Sequence, residues 1–275
     1  MKLILKLLAF AVLVSAISFF SFNVGAEEAL SAELYVSISD KGEIAVSHEK
    51  ITVTDIDADG ALTINDTLFA AHQAYYSGGA ANGYAFAETE YGISIVKLWG
   101  DTSGSYGYYL NDASAWSLAD TVKDGDYVCA YIYSDTVGWS DSYTFFDKKA
   151  VNAESGEEIT LTLSVSGYDD QCNVVTLPLK SAKITVNGEK TEFVTDENGK
   201  VTLMLEEEGS FVISAVSDET VIVPPVCVVN VSANENEGDE EIPKPGDNGN
   251  IILFVIIAAA SLGTAFIFAK VRRIK

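Results

Sequence analysis

Four aspartates are spaced as a divalent cation would need them. In the run Asp55-Ile56-Asp57-Ala58-Asp59-Gly60-Ala61-Leu62-Thr63-Ile64-Asn65-Asp66, carboxylates fill the first, third and fifth positions and a glycine the sixth. Thr63 stands ninth and Asp66 twelfth. This is the spacing of an EF-hand loop, where hard oxygen donors wrap a calcium ion and the glycine permits the sharp turn. One reading is therefore calcium held by Asp55, Asp57, Asp59, Thr63 and Asp66. The other is a hairpin turn over Asp57–Gly60, with Thr63 and Asp66 as the capping box of a helix from Ile64 to about Tyr76. The two readings share Thr63 and Asp66 and are compatible. Alternate carboxylates repel one another unless a cation or water relieves them, which favours calcium.

Little else in the chain suggests reaction chemistry. His48 and His72 are the only histidines. The first lies beside Glu49 in a polar hairpin and the second among alanines in the middle of a helix. Neither has zinc-ligand spacing or a nucleophile signature nearby. Ser77-Gly78-Gly79-Ala80 lacks the Lys-Ser/Thr continuation of a phosphate loop. A carboxylate pair of the glycosidase kind would have many candidates, and nothing singles one out. The chain therefore reads as non-catalytic, with an unrecognised carbohydrate-active enzyme as a second alternative.

Aromatic side chains offer binding instead. Between Tyr91 and Tyr133 they are dense, and Trp99, Tyr108 and Tyr109 fall in strand-like runs that point to a core. Tyr106, Trp116 and Trp139 are flanked by Gly, Ser, Ala or Asp, which marks them as exposed candidates for ligand binding. Flat amphipathic rings stack on sugars, corrin edges or partner side chains at small entropic cost. The elements beneath them read as strands: Ile93, Ile95 and Lys97–Trp99 alternate, and a Gly-rich loop fills 101–107. Tyr108–Leu110 is a further strand, turned at Asn111-Asp112. Lys123-Asp124-Gly125-Asp126 then turns into Tyr127–Tyr133, aromatic on one face and aliphatic on the other.

Leu98-Trp99-Gly100, Gly107-Tyr108-Tyr109-Leu110-Asn111 and Asp124-Gly125-Asp126-Tyr127-Val128 with Tyr133 resemble the transcobalamin-like C-terminal domain of Gram-positive surface proteins. The resemblance covers roughly 34–147. It implies a small α+β, β-grasp-like fold over 27–148 and, as an alternative function, binding of a corrinoid (cobalamin) or another small ligand at the cell surface. Asp66 in the last position of the acidic run is similar to dockerin-type loops.

Beyond Asp147 aromatics nearly vanish and β-branched residues dominate. Strands are expected over 159–165, 182–186, 190–195, 201–205, 210–215 and 226–231, with turns at Asn187-Gly188 and Asp196–Gly199. The region 149–232 reads as a β-sandwich. Its segment TDENGKVTLMLEEEGSFVISA resembles the Ig-like, transthyretin or carboxypeptidase-regulatory type of module, which implies a spacer. The fold class expected is mainly β.

The ends give an address. Residues 1–26 read as a signal peptide: Lys2 and Lys6, an apolar run, then Val24-Gly25-Ala26. An acidic Pro/Gly linker fills 233–250, and 251–269 is an uncharged stretch long enough for a transmembrane helix. The basic tail 270–275 then belongs in the cytoplasm. Ile242-Pro243-Lys244-Pro245-Gly246 resembles an LPxTG sorting signal, with Ile for Leu and Pro245 in the Thr position, and implies association with the cell wall. Partners expected are thus the membrane, through the C-terminal helix, and a surface ligand: glycan, protein or corrinoid.

All 40 acidic residues, but only 11 of the 17 basic ones, lie between the two terminal segments, and the net charge is −23. Such a surface repels nucleic acid, which excludes it as a partner. Of three cysteines, Cys129 reads as a buried small hydrophobe, and Cys172 and Cys227 could pair in an oxidising compartment.

Overall fold

The computed structural model describes residues 30–90, 92–171 and 173–233. The signal peptide, the linker, the transmembrane helix, the basic tail and the sorting-like motif expected from the sequence lie outside them. Among the described residues no helix is long and apolar enough to cross a membrane. The chain is mainly β, and its strands gather around three apolar clusters.

The first cluster lies under one sheet. Strands β1 (Ser31–Asp40) and β2 (Glu43–Thr54) form a hairpin closed by Lys41 and Gly42. Both turn residues have positive φ, 50° and 87°, the geometry whose twist matches that of the strands. Helix α1 (Ile64–Tyr75) follows, then the single turn α2 (Ala80–Gly83) and a separate two-stranded sheet of β3 (Ala85–Thr89) and β4 (Gly92–Lys97). Strands β5 (Tyr106–Leu110), β6 (Ala113–Ser114) and β7 (Tyr127–Ile132) complete the main sheet, in the order β2-β1-β7-β5-β6. Only β1 and β7 run parallel in it.

The central position of β7 explains its composition. Every residue of it is buried. Val128, Ala130 and Ile132 join Leu34, Val36, Leu68 and Leu98 in the first cluster, while Tyr127, Cys129 and Tyr131 face the other way. An alternating aromatic and aliphatic strand thus serves two cores at once.

The second module packs two five-stranded sheets. One has the order β11 (Val174–Pro178), β10 (Glu158–Tyr168), β8 (Ser142–Phe146), β16 (Ile222–Val223), with β14 (Lys200–Met204) also on β10. The other is β13 (Glu189–Val194), β12 (Lys183–Val186), β15 (Gly209–Val216), β17 (Cys227–Ser232), β9 (Ala150–Glu154). Phe146, Leu161, Leu163, Ile184, Leu203 and Ile213 fill the space between them. All six strands expected here are present within a residue or three of their bounds. Asn187 and Gly188 both take positive φ, as the hairpin needs. Gly199 has φ 72°, and a Cβ there would strike the Leu163 carbonyl.

Two features escaped the sequence. Strand β8 ends before residue 147 yet pairs with β10 through Leu163↔Phe146, and in parallel with β16. Second, β9 and β16 join distant partners in parallel, and local periodicity carries no signal for that. Cys227 is a free, buried thiol, and Cys172, its candidate partner from the sequence, lies outside the described residues.

Candidate functional site

The acidic loop leaves β2 and enters α1. Asp55, Asp57 and Asp59 each bring a carboxylate oxygen within 4.8 Å of the others. The loop also folds around these groups. Asp55 accepts the N–H of Gly60 at 2.9 Å and of Asp59 at 3.3 Å, and Asp59 accepts that of Ala61 at 2.9 Å. The Gly60 amide, foremost, holds the Asp55 carboxyl below the usual range, whereas burial and the charge of Asp59 raise Asp57.

Thr63 and Asp66 stand apart from that trio. Asp66 is fully buried. Its Oδ2 accepts the N–H of Thr63 at 2.8 Å and the Thr63 hydroxyl at 2.6 Å, while Oδ1 accepts the Ile56 N–H at 3.0 Å. Thr63 Oγ1 accepts from the Asp66 amide at 3.3 Å, which completes a capping box. The five residues therefore divide into an exposed three-carboxylate group and a buried cap, tied together through Ile56. The trio suits a hard cation such as calcium. Asp66 could join only by giving up donors it already has.

The aromatic candidates are also divided. Leu110, at the end of β5, pairs with Val128 and Ala113, and Trp116 follows that end. Tyr106, at the other end, pairs with Ile132, near the loop that carries Trp139. Trp116 is 95% exposed, and its amide donates to Asp120 at 2.8 Å. Tyr106 is half-buried against the first core and donates its hydroxyl to the Asp101 carbonyl at 2.7 Å. It supports the sheet.

Trp139 sits on a built loop. Asp135 accepts the amides of Val137 and Gly138 and the Ser140 hydroxyl, and Asp141 accepts those of Ser134 and Asp135. The Trp139 indole N–H donates to Ser105 Oγ at 3.2 Å. Even so, Trp139 is 62% and Val137 90% exposed. Trp139 has φ 52°, an unusual conformation for a bulky residue, and such strain persists only when surrounding structure holds it. The sequence marked the tryptophan by its small neighbours, but the two organising aspartates went unnoticed.

The histidines are structural. His72 is buried among Tyr76, Tyr84 and Trp99. Its Nδ1 bonds the Leu68 carbonyl at 2.6 Å, and Nε2 accepts the Trp99 amide at 3.0 Å, which assigns the proton to Nδ1. Burial lowers its pKa to about 4. His48, in a left-handed conformation with φ 53°, stacks on Tyr35 at 4.6 Å. Burial, and then the Lys149 charge, lower it to about 4 as well.

Where the modules meet, Lys149 pairs with Asp112 at 2.8 Å and lies over the rings of Tyr127 and Phe145. Tyr143 donates to the other Asp112 oxygen at 2.9 Å. Cys129 lies in this layer, and burial pushes its thiol up to about 12. A thiol so protonated is a poor nucleophile. The layer joins modules.

No family model matches the sequence, and no curated protein matches it. Among solved structures, the D0-D1 domain of intimin is similar at 13% identity over 73% of this chain and 96% of that one, with a TM-score of 0.26. That score is too low to equate the two arrangements of strands.

Proposed function

We propose that this chain is a non-catalytic ligand-binding or adhesion protein of the cell surface. A β-grasp-like first module carries the binding loops, and an Ig-like second module supports it. A signal peptide, a C-terminal membrane helix and the sorting-like motif supply export and anchorage, with the ectodomain outside the cell. The observation that carries this reading is Trp139, held exposed in a strained conformation by a loop built on Asp135 and Asp141. An indole ordered in this way meets a ligand with little entropy left to lose. Burial lowers both histidines and raises two thiols, so the reading gives these four groups a packing role.

Calcium belongs to the same proposal as a structural ion at Asp55, Asp57 and Asp59, bracing the start of α1 through Ile56 and Asp66. The ligand experiment titrates the protein with a glycan panel and with cobalamin while following tryptophan fluorescence. A saturable change lost in Trp139→Ala is the expected result. A response unaltered in that variant places binding elsewhere, and turnover of any glycan overturns the non-catalytic reading.

A further inference from the structure

A cleft of about 660 Å³ separates β2 from the second module's β12 and β15. Its volume is within the range of ordinary ligand sites, which favour junctions of this kind. One wall comprises Gly42 of the turn and residues 43–45 and 47 of β2, the open edge of the first sheet. The register steps from Ile38↔Val46 to Ser39↔Ile44, so Ala45 is a bulge residue outside the ladder, where pairing is locally disrupted. The other wall is the outer face of the β12–β15 pair, where Thr185 stands directly opposite Ser214.

Those two hydroxyls are the informative part. Thr185 is 5% and Ser214 4% exposed, and among the described residues neither side chain has a hydrogen-bond partner. Neither oxygen is among the enclosed polar atoms left unpaired in the described residues, so solvent reaches both, and the cross-strand pair presents its hydrogen-bonding capacity to the cleft. Ser47 on the facing wall also lacks one, and Asn187 uses its side-chain oxygen on the Val212 amide, leaving its NH₂ free. The cleft thus offers neutral donors and acceptors on both sides. Glu43 is its only charged residue, and no lining residue is aromatic.

That chemistry discriminates between ligands. A saccharide would find hydroxyl partners but no ring to stack on. An anion would meet Glu43 and an acidic protein. An extended polypeptide carries a donor and an acceptor at every residue, and one laid against a sheet edge takes its affinity from such groups. We propose that the cleft binds an extended, uncharged-to-basic segment of a partner protein, hydrogen-bonded to Ala45, Ser47, Thr185 and Ser214. A smaller hollow lined by Gly42, Ser134 and Thr220 prolongs the path toward the Trp139 loop. The proposal does not depend on the indoles.

The test uses the full chain in detergent with the labelled heptapeptide KTVNVTK, its acidic counterpart ETVNVTE, and chitohexaose. Fluorescence anisotropy gives affinity, amide hydrogen exchange gives location, and sedimentation gives self-association. KTVNVTK should bind, slow exchange over 42–47, and outcompete ETVNVTE. The variant T185V/S214A, which removes hydroxyls without opening a cavity, should bind about tenfold more weakly, the worth of about one to two hydrogen bonds. Ser47→Ala should weaken binding too and guards against misfolding of the double variant, while Trp116→Ala should leave it unchanged. Absence of protection at 42–47 with millimolar KTVNVTK, or equal affinity in both hydroxyl variants, overturns the proposal. So does protection by chitohexaose or by self-association in place of the peptide.

Discussion

Tyr109 and Tyr143 lie face to face, with ring centroids 3.6 Å apart and planes 9° from parallel. Tyr109 belongs to the first sheet and Tyr143 to β8, which pairs into the second module. Around them Tyr131, Tyr133 and Phe145 continue the stack. The modules therefore share a packed layer.

Truncating that layer should uncouple the modules. Tyr143→Ala removes a buried ring, a change that typically costs about 3–5 kcal/mol. Calorimetry should show one unfolding transition in the parent and two in the variant. A single transition in both would mean that the modules cooperate through other contacts.

Acid should destabilise the protein through its histidines. His72 and His48 have folded pKa values of about 4, below the unfolded 6.5. Between those values the unfolded chain binds more protons, so stability present above pH 6.5 is lost as pH falls toward 4. For the fully buried His72 the loss is on the order of 3 kcal/mol. Urea midpoints from pH 7 to 4 should fall steeply in the parent and less steeply in His72→Phe. Parallel slopes would contradict the assignment.

Removing the exposed indoles should cost little stability. Trp116→Ala should shift stability by less than about 0.5 kcal/mol, as at other surface positions. Trp139→Gly should melt no lower than Trp139→Ala, because glycine accepts positive φ freely. A lower melting temperature for the glycine variant would show that strain at this position is not released.

Calcium should raise the melting temperature if the aspartate trio holds it. Binding to the folded form alone adds about 2.7 kcal/mol at a hundredfold excess over Kd. Extracellular sites of this type respond at about 0.1–1 mM. Asp57→Ala should abolish the shift between calcium and chelator. Asp66→Ala should lower stability in both conditions by about 1 kcal/mol or more, since it breaks the capping box and takes the acceptor from the Thr63 and Ile56 amides. Identical melts of the parent with calcium and with chelator would leave the loop an ordinary acidic turn.

Glycine at 199 should be irreplaceable. Gly199→Ala combines an unfavourable φ with a clash against the Leu163 carbonyl, and should destabilise by more than about 1 kcal/mol. A neutral effect, measured by urea denaturation, would require the β10 backbone to yield.

Much of this architecture was legible from local rules. Thr63 and Asp66 announced the cap of α1, Asn187-Gly188 announced a hairpin, and the alternation of 127–133 announced a strand with two different faces. Each depends on residues within a few positions of one another, where backbone sterics and periodicity decide. The same rules could collect four aspartates and three candidate aromatics but not say which would meet. Tertiary structure decided that: Asp66 turned inward to the Thr63 and Ile56 amides, Tyr106 became a support, and Trp116 and Trp139 went to opposite ends of β5. It also decided that β8 serves the second module and that Thr185 and Ser214 face β2 across a cleft. Those outcomes rest on pairings between segments tens of residues apart, which depend on which buried faces fit together, and no local pattern encodes that fit.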